Sequence, residues 1–212
     1  MTTASVFSPP DNIWNFQFPP PSAEQDSELL KALHFVPGLK ELLMLRQVHA
    51  LEHATVWVLS DAAKGTASFL PPRAGEELGG LSTERGFYLY GKVDSDRLYR
   101  AVRLALDRLI SGEWDLAIHP RCGTNLSVGI VLTAGLVLGT HLLLPRSPIE
   151  QVLGLGMAAT AATQLTPDLG SLAQRYLTTS IPFNLTIGDI TVMPDVWGRS
   201  AQFVRVKWVE PQ

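Results

Sequence analysis

The segment Leu126–Leu144 constrains the fold most, because its nineteen residues include no Asp, Glu, Lys or Arg. With a rise of about 1.5 Å per residue, a helix of this length crosses a hydrocarbon core of about 30 Å. Charged residues make up 17% of the chain, below the roughly 25% that is usual in soluble proteins. The sequence therefore predicts that this segment is a transmembrane helix.

A second apolar segment, Ile149–Leu165, returns the chain after a short turn, so we predict a transmembrane hairpin over Leu126–Leu165. Both segments have small residues four positions apart, which let helix backbones approach closely in lipid. These residues are Gly135 and Gly139 in the first segment, and Ala158 and Ala162 in the second. A buried helical hairpin in a soluble protein is the alternative, because four Gln and Thr residues make the second segment less apolar.

The charge distribution predicts how such a hairpin would be oriented. Twelve of the seventeen Lys and Arg residues precede it, four follow it, and Arg146 lies in its turn. Cytoplasmic segments of membrane proteins carry the excess of positive charge, so both termini are expected in the cytoplasm. The formal charge of −3 and the lack of a Lys/Arg-rich run argue against a nucleic-acid partner. The single cysteine, Cys122, excludes an intramolecular disulfide and fits a reducing compartment.

The polar part of the chain is predicted to be a small cytoplasmic α+β domain that the two-helix transmembrane hairpin interrupts. Residues 1–22 are rich in proline and lack the apolar core of a signal peptide, so an extended arm is expected there. Residues 23–125 are expected to form the main α+β domain, residues 126–165 the hairpin, and residues 166–212 strands that join the same sheet.

Hydrophobic periodicity indicates the elements of this domain. Apolar residues at three- and four-residue steps predict helices, and short apolar or alternating runs predict strands. The predicted helices are 23–34, 38–60 and 95–110. The predicted strands are 86–91 and 116–119, which would close a β-α-β element, and edge strands within 187–209.

The sharpest chemical signal is His49-Ala-Leu-Glu52-His53 in the second predicted helix. Histidines four positions apart lie on one face of a helix and can bind one metal ion. Glu52 lies between them, as in the inverted form of the zinc-protease motif, where the carboxylate acts as a general base. A structural cluster of His and Glu at a helix interface is the alternative.

A second motif, His119-Pro-Arg-Cys122-Gly-Thr-Asn125, comes directly before the first apolar segment. Its imidazole and thiolate, three residues apart, are both ligands that zinc accepts. The alternative is structural: Thr124 or Asn125 would cap the following helix, Arg121 would meet lipid headgroups, and Cys122 would be small and buried.

A third motif follows the second apolar segment, and the three together carry a family resemblance. In chain order the motifs are His49-Ala-Leu-Glu52-His53, His119-Pro-Arg-Cys122-Gly-Thr and Gln174-Arg175-Tyr-Leu-Thr-Thr. With this combination the chain resembles the bacterial YqhQ-like membrane proteins, described as predicted metal-dependent enzymes. It is more similar still to an uncharacterised, largely cyanobacterial sister group, which shares the segments 49–55, 80–83, 86–91 and 119–125.

The resemblance implies a location in the bacterial inner membrane or the thylakoid membrane, and one site that gathers the motif residues. These residues are His49, Glu52, His53, His119 and Cys122, with Arg121, Asn125, Gln174 and Arg175 around them. The donor types favour a divalent metal, zinc, on both helix histidines, with His119 or Cys122 as third ligand. Glu52 would then be the base in a hydrolysis at the cytoplasmic membrane face.

Two other functions stay open at this point. A non-catalytic assembly or scaffold factor would use the same residues as a closed four-ligand metal site. Pigment or haem binding in a photosynthetic membrane would use His141, because histidines within membrane segments are often functional. The expected partners are membrane lipid and either another membrane protein or a second copy of the chain.

Overall fold

A computed structural model describes residues 20–64, 78–144 and 147–210. Over these residues the chain forms five α-helices and a four-stranded sheet, which confirms the predicted α+β class. The helices are α1 (Gln25–Ala32), α2 (Leu39–Lys64), α3 (Ser95–Ile110), α4 (Gly123–Leu143) and α5 (Pro148–Ala173). The strands are β1 (Gly79–Thr83), β2 (Gly86–Tyr90), β3 (Leu185–Pro194) and β4 (Ser200–Trp208). Residues 1–19 of the predicted arm, and Arg146 in the predicted turn, lie outside the described residues.

The sheet has the strand order β1-β2-β4-β3, and every neighbouring pair is antiparallel. The predicted C-terminal strands do join it, but only one of them, β3, lies at an edge, whereas β4 lies inside the sheet. α2 and α3 pack together against the sheet, and the core consists of their apolar faces and those of the strands. Its large buried residues include Leu51, Leu59, Phe87, Leu89, Leu98, Val102, Leu109 and Val204. One face of α2 is therefore anchored in this core.

The strand predicted at residues 116–119 does not form. Trp114–Ala117 is a short 3-10 helix, and the carbonyl groups that a strand would pair are bonded by side chains of α2 instead. His53 Nδ1 bonds the Ala117 carbonyl oxygen at 2.7 Å, and Trp57 Nε1 donates to that of Ile118 at 2.9 Å. The place beside β2 is occupied by β4, so the predicted β-α-β element is wrong.

α4 and α5 form an antiparallel helical hairpin with small residues of α5 at the interface. Gly154 of α5 lies against Thr140 of α4, and Gly170 lies against Asn125, so the two helices are in contact along most of their length. Ala158 and Ala162 are buried between them, as predicted. Gly135 and Gly139 of α4 are not part of this interface, because outside the adjacent helix backbone no heavy atom of the described residues lies within 4 Å of a Cβ built on either. That part of the predicted packing is wrong.

The outer surface of the hairpin is apolar and exposed. Its large apolar side chains that are more than half exposed are Leu126, Ile130, Val131, Leu138, Leu142, Leu143, Ile149, Val152, Leu153 and Met157. Among the helices of the described segments, α4 alone is long and apolar enough to cross a membrane, judged by length and composition. α5 is less apolar because it contains two acidic residues and two glutamines, whereas α4 contains no charged residue and no glutamine. The structure thus shows a packed hairpin that contains one candidate membrane span.

The hairpin interface gives a prediction with a matched control. A Cβ at Gly154 would clash with side-chain atoms of Leu144 and Thr140, so Gly154→Leu should force the helices apart. Overpacking of this kind costs about 1–3 kcal/mol, and the midpoint of thermal unfolding in detergent should fall. Gly135→Leu adds the same side chain where there is open space and should leave the midpoint unchanged or raise it. Equal effects of the two substitutions would contradict this interface.

Candidate metal centre

Three of the predicted ligands meet between α2 and the start of α4. His49 and His53 share one face of α2, and their ring centroids are 4.3 Å apart. Cys122 is the N-cap of α4, and its Sγ lies 3.2 Å from Nε2 of His49. Among the described residues, one ligand atom from each of these three lies within 4.8 Å of those of the other two. Such a group has the size and donor types of a transition-metal site.

Backbone carbonyl groups hold both imidazole rings in place. Nδ1 of His49 bonds the carbonyl oxygen of Thr178 at 2.9 Å, and Nδ1 of His53 bonds that of Ala117 at 2.7 Å. A carbonyl oxygen can only accept, so each Nδ1 carries a hydrogen, and in the neutral ring each Nε2 keeps a free lone pair. Histidines that bind metals through one nitrogen usually donate the other N–H to a carbonyl or carboxylate in this way.

Cys122 is positioned by the helix that it begins. Its sulfur accepts the backbone N–H of Thr124 at 3.3 Å, so Cys122 itself caps α4, whereas the structural alternative had Thr124 or Asn125 in that role. Burial raises the pKa of the Cys122 thiol, but the hydrogen bond and charge of His53 and the hydrogen bonds of Thr124 bring that pKa below its ordinary value. The positive end of the α4 dipole acts in the same direction. Zinc binds the thiolate form, which this environment favours.

His119 lies beside this group and not within it. Its ring centroid is 5.7 Å from that of His53 and 5.1 Å from that of Trp57. Its Nδ1 accepts the backbone N–H of Arg121 at 3.3 Å. Burial, and then the charges of His53 and Arg121, lower the pKa of His119 to about 4, so the ring is neutral at pH 7. Of the two residues predicted as third ligand, the geometry favours Cys122.

Gln174 and Asn125 hold the turn that carries His119 and Cys122. The fully buried Gln174 accepts the backbone N–H of His119 on Oε1 at 2.8 Å and donates from Nε2 to Oδ1 of Asn125 at 2.8 Å. Asn125 in turn donates to the carbonyl oxygen of Pro120 at 2.8 Å. These bonds join the turn to the C-terminal end of α5, where Gln174 begins a π-helical turn, Gln174–Thr178. Both predicted neighbours of the site therefore position it.

The other predicted residues have separate surroundings. Arg121 is exposed and lines the same cleft as the three candidate ligands. Arg175 forms an exposed ion pair with Asp115, with Nη2 2.7 Å from Oδ1. His141 lies near the far end of α4, and its Nδ1 is 3.2 Å from Oε1 of Gln151.

Glu52 lies in the wall of a cleft of about 560 Å³ that the candidate ligands also line. Its carboxylate accepts a hydrogen bond from Oγ of Ser82 at 2.9 Å. The backbone of Gly80 in β1 packs so closely on this carboxylate that a Cβ at Gly80 would clash with it. Burial raises the pKa of Glu52 above its ordinary value, although His49 and the bond from Ser82 oppose that rise. A buried, oriented carboxyl group thus lies next to the candidate metal ligands.

Sequence reasoning gave no role to Ser82, Gly80 or Arg46, all of which line this cleft. Arg46 precedes His49 by three residues on α2, so the helical spacing of 46, 49 and 53 already indicates a shared face. Gly80 and Ser82 are two residues apart in β1 and therefore point to the same side of the strand. That signal could have been read only after β1 had been recognised as a strand.

Comparison with known proteins places these residues in a family segment. The profile of a family described as a domain of unknown function, DUF6391, matches residues 44–190, which include every candidate site residue. An uncharacterised protein of Picosynechococcus sp. (strain PCC 7002) is 51% identical over 199 residues, which cover 94% of this chain and 97% of that protein. The predicted similarity to an uncharacterised cyanobacterial group is confirmed. No solved structure matches the chain.

Proposed function

Because the chain belongs to the DUF6391 family, whose function is unknown, we propose a function from the site alone: a zinc-dependent hydrolase at the cytoplasmic face of a membrane. The observation that carries the proposal is the convergence of His49, His53 and Cys122 beside the buried base Glu52 in one cleft. The relationship to the YqhQ-like proteins stays a prediction from the motifs.

The donor set fits zinc. Two imidazole nitrogens and one thiolate are a ligand combination of catalytic zinc sites, which keep a position open, whereas structural sites use four protein ligands. Zinc bound there would polarise a substrate carbonyl and lower the pKa of a bound water molecule. Glu52 would accept the proton of the attacking water, and the bond from Ser82 would hold the carboxylate in place.

We also propose that the α4–α5 hairpin lies in the membrane with both chain termini in the cytoplasm. Soluble monomers rarely expose apolar patches larger than a few hundred Å². Leucine, isoleucine and valine side chains lie exposed along α4 and on the outer side of α5. Lipid would cover this surface, and the close packing of small residues on α5 is typical of helix pairs in membranes.

A second function has an observation of its own. The candidate ligands come from α2 and from the first turn of α4, and Thr178, just after α5, orients His49. A metal ion there would tie both ends of the hairpin to the α+β domain, as a scaffold or assembly factor would require. The two functions differ in whether Glu52 is needed after the metal is bound.

One purification tests the membrane and metal parts of the proposal together. The protein should stay in membranes washed with carbonate, and after detergent extraction it should contain about one zinc per chain. Chelation should remove the zinc and any hydrolysis of p-nitrophenyl butyrate or of fluorescent casein, and added zinc should restore both. Recovery of the protein in the carbonate wash would contradict the membrane proposal. Protein without bound metal, as purified and after zinc is added, would contradict the metal proposal.

A further inference from the structure

Arg46 is a cation for which the described residues supply no carboxylate partner. It lies one turn before His49 on α2, and it lines both the candidate cleft and a second cavity beside Tyr176 and Thr179. Nη2 donates to the carbonyl oxygens of Tyr176 at 3.2 Å and of Thr179 at 3.0 Å. Nε is buried without an acceptor, and no carboxylate of the described residues pairs with the guanidinium.

A half-buried guanidinium in this state favours binding an anion. Removing a charge from water costs free energy unless a counter-charge or hydrogen bonds compensate it, and here two carbonyl groups supply only part of the compensation. Arginine presents several N–H groups in a planar fork, which suits the oxygens of phosphate and carboxylate groups. At the edge of the cleft, Arg46, which has no carboxylate partner among the described residues, thus lies one to two helical turns from His49 and His53 on the same face of α2.

The rim of the cleft is apolar where it meets the hairpin. Leu42, Leu45 and Leu177 line the cleft and are 53%, 37% and 72% exposed. Gly123 and Thr124, the first residues of α4, line it as well, and the exposed apolar surface of α4 begins at Leu126. An apolar path therefore leads from the hairpin surface to the candidate metal centre.

We propose that this cleft binds an anionic membrane lipid, with the headgroup at Arg46 and an acyl chain over Leu42, Leu45 and Leu177. This proposal rests on the hydrolase proposed above, because the hydrolase supplies the reaction. The bond that is hydrolysed would be an acyl ester of the bound lipid. Water would add to the acyl carbon, and the ester C–O bond would break. The proton taken by Glu52 would go to the leaving alkoxide, so the products are a fatty acid and a lysolipid.

The test titrates the full chain in detergent with dihexanoyl phosphatidylglycerol and, as the zwitterionic comparison, dihexanoyl phosphatidylcholine. Binding is followed by tryptophan fluorescence. The wild type should bind the anionic lipid about 10- to 100-fold more tightly, the range that a charge-assisted hydrogen bond supplies. Arg46→Met keeps the apolar stem but should lose the preference, and Arg46→Lys should keep part of it. Arg103→Met, at an exposed arginine of α3 outside the cleft, should change nothing.

Three results would overturn the lipid proposal. The first is equal binding of the two lipids by the wild type, and the second is an undiminished preference in Arg46→Met. The third is binding of glycerol phosphate as tight as that of the anionic lipid, which would indicate a site for a soluble phosphate. If Arg46→Met does not fold, judged by size-exclusion chromatography, Arg46→Lys decides, because it must weaken the preference.

The same titration separates this proposal from the hydrolase. It is repeated with Glu52→Gln protein and with zinc removed, because lipid binding by Arg46 should survive both changes. Selective binding of the anionic lipid without release of lysolipid by zinc-loaded wild type would contradict the hydrolase and support the lipid site. Hydrolysis of both lipids at equal rates, with no preference in binding, would support the hydrolase and overturn the lipid site.

Discussion

Replacing Cys122 with serine should abolish zinc binding by the purified protein while α4 still forms. A serine hydroxyl is a poor zinc ligand at neutral pH, so the loss of affinity should exceed the roughly 10- to 100-fold seen when only an outer partner of a ligand is removed. Serine is a favoured N-cap residue and can accept the N–H of Thr124 as Cys122 does, so the start of the helix should be preserved. Zinc content is measured on protein that elutes as a single species in detergent.

His119→Ala is the matched control for this experiment. His119 belongs to the same turn as Cys122 and lies next to His53, but it is not one of the three converging groups. Its loss should leave about one zinc per chain, whereas His53→Ala should remove the metal as Cys122→Ser does. A His119→Ala protein without zinc would show a four-ligand site and favour the scaffold. A Cys122→Ser protein with a full complement of zinc would refute the proposed ligand set.

Local periodicity was enough to predict the parts of the fold that depend on one element at a time. Apolar residues at three- and four-residue steps predicted α3, where Leu98, Val102 and Leu109 are buried, and the spacing of His49 and His53 predicted the shared face of α2. The strand predicted at residues 116–119 failed because its short apolar run suits several conformations. Hydrogen bonds from α2, more than sixty residues away in sequence, decided between them.

The faces that α4 and α5 turn towards each other could not be predicted from local periodicity either. Small residues occur at four-residue steps on both helices, and the sequence offers no reason to prefer one stripe over another. In the structure, Gly154 and Gly170 face bulky or polar residues of α4, while Gly135 faces open space. Contacts at both ends of the hairpin select this rotation, including the bond between Gln174 and Asn125.

The choice between His119 and Cys122 could not be made from spacing. Both follow the same short element, and a turn at Pro120 separates them. The backbone N–H of His119 donates to Gln174, and the backbone N–H of Arg121 donates to the ring of His119, so that imidazole is directed to one side. The helix that begins at Gly123 directs the thiol of Cys122 towards His49. Each of these contacts joins the turn to a distant or following segment, which a motif alone does not reveal.

Replacing Glu52 with glutamine should separate an enzyme from a scaffold. The substitution keeps the size of the side chain, which matters because the backbone of Gly80 packs directly on the carboxyl group. The amide oxygen can still accept the hydrogen bond from Ser82, so the wall of the cleft should keep its shape. Zinc content and membrane insertion are therefore expected to match the wild type. Hydrolysis should fall about 10²- to 10⁴-fold, the usual contribution of a general base.

This difference is measured by complementation in Picosynechococcus, in a strain from which the gene for the 51% identical relative has been deleted. The abundance of each variant is followed by immunoblot. For an enzyme, Glu52→Gln protein at normal abundance should fail to complement, while Ser82→Ala, which keeps the carboxylate but loses its hydrogen bond, should complement in part. For a scaffold, Glu52→Gln should complement fully, and His53→Ala should fail because its abundance falls with the loss of metal-linked folding. Full complementation by Glu52→Gln would thus contradict the hydrolase proposal, even if the protein binds zinc, because the proposed hydrolysis needs the carboxylate of Glu52 as its base.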